Sequence, residues 1–232
     1  RAPVFAITLF STLENVSVFS VYALITSGLT SFINCIDKGM RALFGNIIAK
    51  GETEKLRQAF DSYQTALHIL ATACFATACI TVRDFIYVYI DGVFDAEYIQ
   101  PVFSFLIFTA EFLYCLRLSY SVVVTASGKF KEIKRPAYIE AGINLTLSCV
   151  LVHFFGLVGV AIGTLVAMSY RTVSFIGFLH RSILHLSRKK QAAKYAITFV
   201  SYALCICVFS SISLQITGYL SWAVYAFSVF VG

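Results

Sequence analysis

Three residues that could do chemistry sit where hydrocarbon is expected. Glu111, Tyr114 and Arg117 step by three along one apolar stretch, with Ser121 near the end of the same stripe. A second guanidinium, Arg171, lies a few residues past the centre of another apolar stretch, with Thr164 two turns before it and Tyr170 and Ser174 nearby. Glu140 and Asn144 share a helical face at i, i+4 in the stretch between them. A charged side chain at a membrane-helix centre costs about 2.5–3.5 kcal/mol on insertion scales, so each position needs a reason.

Each has two readings. Glu111 and Arg117 either line a polar cavity or substrate path or form structural ion pairs with a neighbouring helix. Arg171 either lines a water-filled cavity or snorkels to the headgroups. Glu140 and Asn144 either pair with an adjacent basic loop or line a cavity mouth. On the cavity reading, an always-charged guanidinium suits a phosphate or another anion, which it grips through two donors at once.

The elements that must position these groups follow from composition and charge pattern. The chain is 59% hydrophobic and 13% charged, against about 45–50% and 25% in soluble domains. Polar residues are too few to cover a water-facing surface. A crossing helix needs about 20 mostly apolar residues, and candidates lie at about 16–36, 64–90, 99–126, 137–155, 157–180, 195–214 and 217–232. A stub at 1–12 reads as the tail of a further helix. The expectation is an all-α polytopic membrane helix bundle of about seven transmembrane helices plus a truncated one.

Three basic clusters set the orientation. Lys38, Arg41, Lys50, Lys55 and Arg57 form one; Lys129, Lys131, Lys134 and Arg135 the second; Arg181, Arg188, Lys189, Lys190 and Lys194 the third. They hold most of the 18 Lys and Arg and recur every two spans, which places them on the cytoplasmic side. The connections at 91–98, 154–156 and 215–218 carry no Lys or Arg. Near anionic headgroups each basic residue contributes about 1 kcal/mol. Membrane lipids therefore account for the net charge of +6, and no nucleic-acid partner is expected.

Within the first cluster, Met40, Leu43, Phe44, Ile47 and Ile48 form one apolar helical stripe. It predicts an interfacial helix over about 38–50, ended by Gly51. Glu14 and Asn15 read as an outer turn whose helix is capped by Ser or Asn. Gly159 and Gly163 form a GxxxG contact element. Pro101 opens one span and Pro136 precedes another. The seven cysteines read as packing residues, and His68 and His153 as isolated, satisfied histidines. Motifs for phosphate-cradling loops, nucleophilic serines or metal sites are absent, and no outer loop exceeds about ten residues. No enzyme activity and no cofactor are expected.

Four stretches carry a family resemblance: 16–25 (VSVFSVYALI); 42–51 (ALFGNIIAKG); 85–91 (FIYVYID) with 98–101 (YIQP); and 126–131 (ASGKFK), 139–144 (IEAGIN) and 155–164 (FGLVGVAIGT), closing at Tyr170-Arg171. Together they resemble polysaccharide and O-antigen flippases of the multidrug/oligosaccharidyl-lipid/polysaccharide exporter superfamily, over about 5–180 and only in the C-terminal half of such a protein. The resemblance implies two six-helix lobes around a central cavity. Residues 1–180 would then be the second lobe, 181–194 a basic cytoplasmic loop and 195–232 additional helices, with the N-terminal lobe outside this sequence. It implies flipping of an undecaprenyl-diphosphate-linked oligosaccharide across the bacterial inner membrane by alternating access, with H+ or Na+ as a coupling ion. Glu111, Arg117 and Arg171 match the family's charged positions within spans; Tyr114, Glu140 and Asn144 complete the expected substrate-binding set. A drug/cation antiporter of the same superfamily would favour an acidic, aromatic cavity instead. A membrane glycan polymerase or ligase would need a large outer loop.

Overall fold

The computed structural model describes residues 7–8, 12–90, 96–182, 184, 187–209 and 218–231. Among the described residues six long helices follow one another: α1 (Leu13–Ala49), α2 (Thr53–Tyr89), α3 (Pro101–Ala126), α4 (Phe130–Ser182), α5 (Arg188–Phe209) and α6 (Tyr219–Val231). The first five are long and apolar enough to cross a membrane. The chain is a helical membrane bundle of the multi-pass kind. Most of the 1–12 stub lies outside the described residues, as do parts of the connections at 91–98 and 215–218.

α4 counts as two crossings. Its 53 residues are interrupted at Gly156, whose φ of 56° and ψ of −132° belong to a region open in practice to glycine alone. The arms 130–155 and 157–182 fold back on each other there, as the 154–156 corner predicts. Contacts fix the register. A Cβ on Gly159 would collide with the main-chain carbonyl of Leu151, and one on Gly163 would stand 2.8 Å from Ser148 Oγ and 2.9 Å from its amide nitrogen. Contact partners recede evenly on either side of Gly156, the mark of an antiparallel hairpin. The GxxxG element is the surface along which the arms meet.

α3 is the central helix, packed against α1, α2 and both arms of α4. It buries Phe103, Phe108 and Phe112 completely. Pro101 stands in its first turn, where a missing N–H is harmless. Tyr22 anchors the approach to α3: its hydroxyl donates to Tyr98 O at 3.0 Å and accepts from the Gln100 N–H at 3.2 Å. α5 and α6 pack mainly on α2, leaving Ile197, Val200, Leu204 and Val208 exposed along α5. In a bilayer that face meets lipid at no hydrophobic penalty.

Three local expectations change. First, residues 38–49 are not a separate interfacial helix; they continue α1 without a break. At 1.5 Å per residue α1 spans about 55 Å, well beyond a hydrocarbon core of about 30 Å. Most of the apolar stripe there packs inward: Phe44 is fully buried, its ring centroid 5.9 Å from Tyr63 of α2, and of the five only Leu43 stays exposed. Second, the α1 cap is Thr12, whose Oγ1 accepts from the Asn15 N–H at 3.4 Å; Glu14 in the first turn adds favourable charge at the helix N-terminus. Third, Pro136 lies inside α4, which begins six residues earlier at Phe130. Much of the second basic cluster, and Arg188, Lys189, Lys190 and Lys194 of the third, are therefore helical.

Candidate functional site

Glu140 joins the two membrane guanidiniums. It projects from the first arm of α4 and accepts from Arg117 Nη1 of α3 at 3.2 Å through Oε1. Its other oxygen, Oε2, takes a close hydrogen bond from Arg171 Nη1 on the second arm. Each partner comes from a different helical segment, so the cluster depends on the hairpin fold of α4 and its packing on α3. Arg117 is 5% exposed and Glu140 9%. Two guanidiniums share one carboxylate, which leaves the trio with a formal excess of one positive charge.

Aromatic rings complete the enclosure. Phe175 lies 5.8 Å from the Arg117 guanidinium and 5.5 Å from that of Arg171, while Tyr114 lies 5.2 Å from Arg117. Both arginines are thus held over ring faces, where the quadrupole favours a cation. The Nε of Arg171 is buried without a hydrogen-bond partner. One donor of the cluster is therefore uncommitted.

The six expected residues separate into a centre and its flanks. Arg117, Arg171 and Glu140 form the centre, and Tyr114 lies against it. Asn144, buried one turn along from Glu140, accepts from Ser148 Oγ at 3.1 Å through Oδ1. Tyr114 donates to Asn34 Oδ1 of α1 at 3.5 Å. Glu111 is half-buried on α3; the carboxylate hydrogen-bonded to Arg117 is Glu140. Thr164 stays apart, donating to Val160 O. The Arg171 side chain is 19% exposed and turned to Glu140. A cleft beside the cluster, bounded by Glu132, Pro136, Ser174 and Phe175, offers only about 10 Å³, close to the least that holds one water. The cluster is packed, with its charges facing one another.

A second polar centre escaped the sequence reading. Gln64 Nε2 donates to Tyr120 OH at 2.7 Å and to Gln191 Oε1 at 2.8 Å, and Tyr120 OH donates to Gln191 Oε1 at 2.6 Å. Beside it, Lys194 Nζ reaches Asp61 Oδ1 at 2.6 Å, and Lys190 approaches the same oxygen at 3.5 Å. These bonds tie α5 to α2 and α3. Asp37 was missed as well; fully buried near the end of α1, it accepts from Tyr63 OH at 3.2 Å and from Arg41 at 3.0 Å. The available signal was weak: Gln64 and Gln191 are neutral amides on helix faces that Asp61, His68, Arg188 and Lys194 already make polar, and Asp37 adjoins a basic cluster.

Comparison of the chain with family models, curated proteins and solved structures gave no match. The functional reading therefore rests on geometry and on the resemblance drawn above.

Proposed function

We propose that this chain belongs to a transporter that moves an anionic, lipid-linked oligosaccharide from the cytoplasmic to the periplasmic leaflet of the bacterial inner membrane by alternating access. An undecaprenyl-diphosphate-linked sugar is the substrate class in view. The observation that carries the reading is the excess positive charge of Arg117, Glu140 and Arg171, sealed between α3 and the α4 hairpin. A purely structural ion pair needs one cation for one anion. A second, part-buried guanidinium on the same carboxylate adds desolvation cost that one shared anion offsets only in part.

A diphosphate supplies what the trio lacks. Its oxygens can take paired donors from a guanidinium, including the uncommitted Nε of Arg171. Glu140 then acts as an internal stand-in for the anion, holding both arginines in place until substrate competes for them. The packed geometry fits a resting, substrate-free arrangement, and opening would separate α3 from the α4 arms. Such rocking of helix groups around a mid-membrane site is the usual physical route to alternating access. H+ or Na+ would drive the cycle, with half-buried Glu111 as the acidic group nearest the trio in sequence.

Surface-polysaccharide output tests the reading in cells carrying the full-length protein. Arg117→Ala and Arg171→Ala should each abolish output at normal expression. Normal surface polysaccharide in both variants would reject the assignment.

A further inference from the structure

α1 carries two exposed faces of opposite character. By helical rotation Ser20, Ser27, Thr30, Ser31, Asn34 and Lys38 fall within one sector about 100° wide. Each is exposed or half-buried. Ala23 completes the sector, so no bulky apolar side chain interrupts it. Phe32, Ile36 and Leu43 are exposed as well, but they lie about 160° away around the helix. The side turned to the bundle, with Val18, Tyr22, Thr26 and Ile33 buried, separates the two. The apolar face suits lipid. The polar face does not, and it runs deep: from Ser20 to Lys38 it rises about 27 Å, nearly the full thickness of a hydrocarbon core. An amide such as that of Asn34 is costly to place in hydrocarbon. The polar face therefore borders a wet or hydrogen-bonding medium along the whole crossing.

The hydroxyls specify what kind of group fits there. Ser20 Oγ donates to Val16 O at 2.7 Å, Ser27 Oγ to Leu24 O at 3.0 Å and Thr30 Oγ1 to Ser27 O at 3.2 Å. A hydroxyl has one proton to give. These three are committed to the helix backbone, so they meet a ligand as acceptors. A phosphate, which brings acceptors of its own, gains nothing from them. A sugar brings O–H donors on every side and can exchange one such contact for the next as it advances.

The face also joins the arginine cluster. Asn34 Oδ1 accepts from Tyr114 OH at 3.5 Å, and the Tyr114 ring lies 5.2 Å from the Arg117 guanidinium. A lipid-linked glycan carries its sugars directly on the diphosphate, so a diphosphate held at the cluster brings the first sugars to α1. We infer that the Ser20–Lys38 face of α1 is the wall along which the glycan of the substrate moves, its hydroxyl oxygens accepting from sugar O–H groups. The assignment rests on the transport reading above: the cluster holds the diphosphate, and α1 holds the sugars.

The test uses the full-length protein, free of other cysteines, in lipid nanodiscs that leave both sides open to a cationic methanethiosulfonate reagent. Ser27→Cys and Ser31→Cys should react at least about tenfold faster than Phe32→Cys, because a thiol ionises in water and not against lipid. Undecaprenyl-diphosphate N-acetylglucosamine should slow the reaction of Ser31→Cys, and sugar-free undecaprenyl diphosphate should slow it less. Thermal stabilisation of the unaltered protein by the sugar-free carrier reports the arginine cluster separately. Labelling at positions 27 and 31 as slow as at position 32 would show a face packed against lipid or another helix and overturn the inference. Equal protection by the two carriers would overturn it too. In both cases stabilisation by the sugar-free carrier leaves the transport reading standing. No stabilisation by either carrier would sink that reading, and the inference with it.

Discussion

Glu140 and Arg171 meet across the α4 hairpin although 31 residues separate them. They stand almost equally far from Gly156, in the register that also seats Gly163 against Ser148. The ion pair and the glycine contacts are thus parts of one device. Small residues let the arms approach, and the approach brings a carboxylate on one arm to a guanidinium on the other. Arg117 on α3 then closes the cluster from a third side.

This relationship makes Glu140 a sensitive position, since both arginines depend on it. Glu140→Ala leaves a buried and a part-buried guanidinium facing each other, and removing one partner of a buried pair typically costs about 3–5 kcal/mol. Arg171→Ala leaves Glu140 still paired with Arg117 and should cost less. Thermal unfolding in detergent should rank Glu140→Ala well below Arg171→Ala. The opposite order would mean that the carboxylate does not hold the cluster together.

Gly159 and Gly177 offer a matched pair on the second arm of α4. Gly159→Ala places a methyl group into the Leu151 carbonyl, a backbone atom that cannot swing aside. The overpacking should cost about 1–3 kcal/mol. Gly177→Ala meets nothing within 4 Å and should stabilise by up to about 1 kcal/mol through helix propensity. Unfolding midpoints moving in opposite directions are the expected result.

Tyr120 holds α5 to the bundle through one hydroxyl. Tyr120→Phe removes the bond to Gln191 and the acceptor for Gln64, leaving buried amide groups short of a partner at about 1–3 kcal/mol. The Lys194–Asp61 pair is different. Asp61 is 42% exposed, so Asp61→Ala should cost only about 0.2–1 kcal/mol, fading with salt. Limited proteolysis around 183–187 should accelerate in Tyr120→Phe far more than in Asp61→Ala.

Orientation follows from the basic clusters. In otherwise cysteine-free protein in intact cells, Lys131→Cys and Lys189→Cys should resist an impermeant thiol reagent, and Glu97→Cys should react. Labelling of all three from outside would break the assignment of sides.

The spans were legible in the sequence because apolar run length and the recurrence of Lys and Arg depend on composition alone. The Gly156 corner was legible too, since a glycine between two apolar runs marks a reversal. Helix ends were less so. Residues 38–49 looked interfacial because a stripe with flanking charges fits a headgroup layer; the neighbour that claims it, Tyr63, is visible only once α1 and α2 are paired. In the site, the charged residues could be picked out singly, but which carboxylate serves which arginine depends on the register of the hairpin. The Gln64–Tyr120–Gln191 centre spans three helices and leaves almost no local trace. Arg83 marks the limit of reading charge alone: it lies exposed near the end of α2 opposite the basic clusters, an exception that the loop count passes over.

Transport by the reconstituted full-length protein tests the central claim most directly. Proteoliposomes loaded with an undecaprenyl-diphosphate oligosaccharide are exposed to an impermeant glycosidase, and the rate at which inner-leaflet glycan becomes cleavable is measured. The account predicts protein-dependent movement that falls at least about tenfold in Arg171→Ala and Arg117→Ala, as loss of a charge-assisted contact implies. Movement at the unaltered rate in both variants would contradict it.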